Sequence, residues 1–153
     1  MRYLREIKKY IERKTFISFY INKPIVLYEC DLQALYKKSK FFKSMNLNSP
    51  CFMHKCRNIF GFIKEYMIIV GNNKEYKELS TKAKKILLFH ELGHVYNQTA
   101  SAETKEKIAD EYALKYIGKI TTEDAKKIAL YLSSFEDYDY NDCYVDVYNR
   151  FVC

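Results

Sequence analysis

Residues 84–98 read KKILLFHELGHVYNQ, and no other stretch constrains the fold as tightly. His90, Glu91 and His94 stand among Ile86, Leu87, Leu88, Phe89, Leu92, Val95 and Tyr96. A helix that is apolar all round is one that a core buries. Burying a charge without a partner is costly, so the three polar side chains need compensation. The pattern His90-Glu91-Leu92-Gly93-His94 supplies a reason for them. On a helix, residues i and i+4 share one face, so both imidazoles can turn a ring nitrogen toward a single cation. Zinc suits two imidazoles and one oxygen ligand, and a catalytic site leaves the fourth position to water. Glu91 lies near that face but is displaced from the ligand pair. Its natural role is to hold and deprotonate that water.

The remainder of the chain sets the frame. A length of 153 residues predicts one domain, 1–153, with a core that needs no staples. Few glycines and prolines and 48% hydrophobic residues favour a helix-rich globule over a disordered chain. The opening MRYLREIKKYIERK is charged throughout and lacks the apolar stretch of a signal peptide. No apolar run approaches the length of a membrane span. Five cysteines at irregular spacing, Cys30, Cys51, Cys56, Cys143 and Cys153, fit free thiols in a reducing cytoplasm. These features predict a cytoplasmic protein with no membrane partner. The net charge of +7 concentrates in the first third, while the C-terminal tail, about 136–153, is acidic and tyrosine-rich. A basic stretch of this kind can attract nucleic acid. A solvated lysine-rich surface is the simpler account, and direct nucleic-acid binding is disfavoured.

Periodicity predicts an amphipathic helix over 2–14, a strand over 24–29 and a helix over 31–42 capped by Asp31. Two strands with a turn near Asn58–Gly61 fill 51–73. The site helix starts at Ser80 or Thr81 and ends near Tyr96, and residues 97–101 turn the chain. A helix over 102–117 follows, capped by Ser101 and closed by Gly118. Thr121-Thr-Glu-Asp124 resembles a capping box that opens a helix to about Phe135, and a last helix begins near Asn141. The class is α+β: a helix-rich domain with a small antiparallel or mixed sheet beside the site helix.

The third ligand follows from geometry. If the helices on either side of 97–101 form an antiparallel hairpin, His94 sits about 4–5 Å back from the turn and His90 about one turn deeper. On the returning helix Glu106 lies about 6 Å in, level with the metal, and Asp110 about 12 Å in, level with His90. Glu106 is then the third ligand. Asp110 accepts from the other ring nitrogen of His90 and orients it. Glu111 points away to solvent, and Glu103 is too near the turn.

HELGH followed by EKIADEYA, with its Glu106-x-x-Ala109-Asp110 spacing, resembles the gluzincin pattern, and in a chain of this size most resembles the ImmA/IrrE family of metallopeptidases. The resemblance covers about residues 24–118, the expected core. It implies a zincin-like fold, zinc held by His90, His94 and Glu106, and Glu91 as the base. It also implies a regulatory role, in which a protein substrate such as a DNA-binding repressor is cut or inactivated.

Other residues have less specific readings. His54 and the tail tyrosines are candidate oxyanion helpers. Cys51, His54 and Cys56 could hold a second metal, but 51 and 56 would face opposite sides of a strand, and structural thiols are the simpler account. The strand EYMIIV could pair with an extended substrate or serve as sheet core. Two rival functions remain from other classes. One is a non-catalytic, zinc-stabilised protein that sequesters a regulator. The other is a nucleic-acid-binding module that uses the basic N-terminal third.

Overall fold

The structure, a computed structural model, describes residues 2–45, 48–98, 101–135 and 139–153, without the side chains of Arg2, Ala102 and Glu103. The Glu103 side chain, residues 46 and 47, residues 99 and 100 of the expected turn, and residues 136–138 of the tail therefore lie outside the described residues. The architecture is α+β, and the chain divides into two compact units, Met1–Asn73 and Lys74–Cys153.

The first unit is built on a four-stranded mixed sheet in the order β1-β2-β4-β3. Helix α1 (Arg2–Lys8) leads into β1 (Ile11–Tyr20), which forms a hairpin with β2 (Lys23–Cys30). Helices α2 (Leu32–Lys38) and α3 (Lys40–Ser44) connect to β3 (Cys51–Arg57), which pairs antiparallel with β4 (Ile63–Gly71). β4 also pairs parallel with β2, so these two are the inner strands. The β4 run from Tyr66 to Val70 is buried throughout, the pattern of a strand covered on both faces. Ile7, Ile25, Leu32, Leu35 and Phe42 complete this core.

Two expectations are corrected here, and the two readings of EYMIIV are decided in favour of sheet core. The first helix stops at Lys8, not at residue 14, and Ile11 opens a strand. The helical spacing of Leu4, Ile7 and Ile11 is real. The stretch TFISFY, rich in β-branched and aromatic residues, nevertheless pulls the following chain into the sheet. The expected helix over 31–42 is two helices broken at Ser39, which ends α2 and caps α3 by accepting from the Phe42 amide. EYMIIV has no free edge for a peptide, because β2 and β3 occupy both of its sides.

The second unit is helical: α4 (Lys74–Lys77), α5 (Thr81–Tyr96), α6 (Ala102–Ile117), α7 (Thr122–Ser133), α8 (Tyr140–Val147) and a π-helical turn, Tyr148–Val152. α5 and α6 pack on each other, as do α7 and α8, and the π turn touches α6 and α7. Ser80 caps α5 by accepting from the Ala83 amide, and Thr121 caps α7 in the same way from Asp124. The core contains Ile86, Val95, Ala109, Ala113, Ile128, Tyr131, Val147 and Phe151. Thus the described part of the C-terminal tail is built into this unit. Among the described residues, no helix is long and apolar enough to cross a membrane, and no disulfide joins any of the five cysteines.

Candidate metal centre

The site lies wholly within the second unit, on α5, α6 and the π turn. Its geometry begins with Gly93. A Cβ there would lie 2.8 Å from the Ala109 Cα and 3.2 Å from the Ala109 carbonyl oxygen. Gly93 facing Ala109, with buried Ala113 one turn on, lets α5 and α6 approach closely enough for side chains on both to meet.

At that approach His90, His94 and Glu106 converge, each offering a ligand atom within 4.8 Å of the others. The Nε2 atoms of His90 and His94 are 3.2 Å apart. Glu106 Oε2 lies 3.1 Å from His90 Nε2, and Oε1 lies 3.2 Å from His94 Nε2. Asp110 Oδ1 is 2.8 Å from His90 Nδ1. A carboxylate at Nδ1 holds the proton there and leaves the Nε2 lone pair facing the cluster. Glu111 is exposed, away from the convergence.

Two imidazole nitrogens that face each other need a proton or a cation between them, since neither can donate to the other when both are deprotonated. The donor set, two nitrogens and a carboxylate, is one that zinc takes. The residues therefore fit a divalent ion. Without the ion, burial lowers the proton affinity of His90, but hydrogen bonds to Asp110 and Glu106 outweigh it and push its pKa up to about 9. Burial and the neighbouring His90 charge lower that of His94. A cation that took the proton's place at His90 would release that proton, coupling ion binding to pH.

Glu91 is buried at 7% exposure, and burial pushes its pKa up to about 7, opposed by His90. Its carboxyl is therefore poised to take and give up a proton near neutrality. Glu106, by contrast, is 67% exposed, so the cluster opens to solvent on the α6 side.

Sequence reasoning missed Arg150. From the π turn its guanidinium donates to both Asp110 oxygens, Nε to Oδ2 and Nη2 to Oδ1, each at 2.9 Å. It also donates to Asp146 at 3.1 Å. This fork matches carboxylate geometry and fixes the plane of Asp110, which in turn fixes His90. A lone arginine in an acidic tail was the available signal, but nothing in its spacing ties it to residue 110.

His54 belongs to the first unit. It stacks on Tyr3 with ring centroids 4.5 Å apart, and burial lowers its pKa. Cys51 is half-buried and Cys56 buried on β3. Among the described residues, His90, His94 and Glu106 form the one grouping of His, Cys, Asp and Glu suited to an ion. Comparison with protein-family models, curated proteins and solved structures returns no match.

Proposed function

We infer that this protein is a zinc-dependent peptidase acting on a protein substrate, with His90, His94 and Glu106 as ligands and Glu91 as general base. The observation that carries the reading is the convergence of two helical histidines and a carboxylate from the next helix, beside a buried glutamate. When bound, zinc supplies a Lewis acid that polarises a carbonyl and acidifies water.

The chain's own residues do the rest. Glu91, buried beside the two histidines, is the group that would accept a proton from water and deliver it to a leaving amine. Asp110, held by Arg150, keeps His90 in one tautomer and one orientation. The exposed side of Glu106 gives a substrate access. The likeness of HELGH and EKIADEYA to the ImmA/IrrE motifs supports a regulatory substrate such as a transcriptional repressor, in the cytoplasm.

The test is incubation of wild type and Glu91→Gln with candidate repressors encoded nearby, with fragments read by mass spectrometry and bound zinc by elemental analysis. Wild type should yield a discrete cut that chelation abolishes. Glu91→Gln should keep zinc and lose cleavage by about a hundredfold or more. Retained zinc with an unchanged biological effect in Glu91→Gln would instead favour sequestration without catalysis.

A further inference from the structure

The first unit carries an unusual pair of turns. β2 and β4 run parallel with Ile25 level with Tyr66, so the β1–β2 and β3–β4 turns lie at the same end of the sheet. They carry Phe19, Ile21, Ile59, Phe60 and Phe62, each between 62% and 82% exposed. An open groove of about 400 Å³ runs between the two turns, lined by Ile21, Lys23, Arg57, Phe62 and Tyr66 among others.

Both turns are built to present these side chains. Asn58 accepts at Oδ1 from the Phe60 and Phe62 amides, its own amide donates to the Phe62 carbonyl, and Gly61 donates back to Asn58. Arg57 donates to the Gly61 carbonyl. The loop's polar backbone is thus largely satisfied from within, as a segment leaving water requires. In the other turn Ile21 has φ +49°, a left-handed conformation that is an outlier for a β-branched residue. Glycine or asparagine would sit there without strain, yet an exposed isoleucine occupies the position.

Charge indicates what the turns meet. Stretches 13–28 and 51–64 contain Arg13, Lys14, Lys23, Lys55, Arg57 and Lys64 and no acidic residue. Lys23, Arg57 and Lys64 are exposed beside the apolar turns. We propose that the two turns form a peripheral anchor that enters the headgroup region of an anionic lipid bilayer. Phe19, Ile21, Ile59, Phe60 and Phe62 enter the interface, and Lys23, Arg57 and Lys64 meet lipid phosphates. Apolar insertion combined with cationic attraction gives stable peripheral binding without a membrane-spanning helix, so the proposal departs from the expectation of no membrane partner, which rested on the lack of an apolar span. A single-stranded nucleic acid fits less well, because base stacking uses aromatic faces and two of the most exposed tips are isoleucines. The proposal is independent of the metal centre.

The test is co-sedimentation of the full chain with phosphatidylcholine vesicles, with and without phosphatidylserine, and with a single-stranded oligonucleotide in a parallel arm. Wild type should sediment with the anionic vesicles and remain free of the neutral ones. Phe60→Ser combined with Phe62→Ser should weaken that binding about tenfold, as should Lys23→Glu combined with Lys64→Glu. Ile21→Gly relieves the strained turn, so it should fold at least as well as wild type while still binding more weakly. Wild type left in the supernatant, equal binding by the turn variants, or binding to the oligonucleotide alone would each overturn the proposal.

Discussion

Gly93 sets the distance between the two helices that carry the site. In an ordinary helix, replacing glycine by alanine stabilises by about 1 kcal/mol. Here the added methyl would meet backbone at 2.8 Å, which no rotamer change relieves. Overpacking of this kind costs about 1–3 kcal/mol, so the steric cost prevails. Gly93→Ala should lower the urea midpoint and weaken ion binding together; a raised midpoint would show that the helices do not meet there. Asp110 acts one residue further out. Asp110→Asn preserves its shape but removes the charge that holds the His90 proton and pairs with Arg150. Zinc affinity, followed by competition with a chromophoric chelator, should fall about 10–100-fold. His90, His94, Glu106 and Asp110 were legible because helical periodicity and a short turn fix their relative heights. Arg150 was not, since its approach depends on how a distant segment packs.

At the scale of elements, capping held more reliably than length. Asp31 and Thr121 cap the helices expected of them, and Ser80 is the cap of the two candidates offered for α5; each accepts from the amide three residues on, because a cap is a local contact. Ser101 occupies its expected position, but its hydroxyl faces Thr104 Oγ1 rather than an amide. The N-terminal helix was overextended because Tyr10 and Ile11 continue a helical stripe. The competing strand becomes favourable only through pairing with β2, a contact invisible to periodicity. Ser80 does more than cap, since its hydroxyl also donates to Asp124 at 2.8 Å and ties α5 to α7. Ser80→Ala should destabilise the protein by about 1–2 kcal/mol in chemical denaturation, at the upper end for a cap.

Over the whole molecule, the division into Met1–Asn73 and Lys74–Cys153 separates the metal centre from the sheet. An ion that binds only the folded form stabilises it in proportion to the logarithm of its concentration, by about 2.7 kcal/mol at a hundred times the dissociation constant. Chelation should therefore lower the melting temperature. Hydrogen exchange should then show lost protection in α5 and α6 and unchanged protection in β2 and β4. Uniform loss across both units would mean that the ion stabilises the chain as one cooperative body.

The spacing of the Arg150 contact has a further consequence, in the timing of assembly. His90 and Asp110 are 20 residues apart, whereas Asp110 and Arg150 are 40 apart. Doubling a loop adds about 0.6 kcal/mol to its closure, and the second closure also requires α7 and α8 to be in place. The helical hairpin can thus receive an ion before Arg150 arrives. Arg150 would then govern how long the ion stays rather than how quickly it enters: Arg150→Met should speed zinc dissociation in a stopped-flow chelator chase and leave the association rate unchanged.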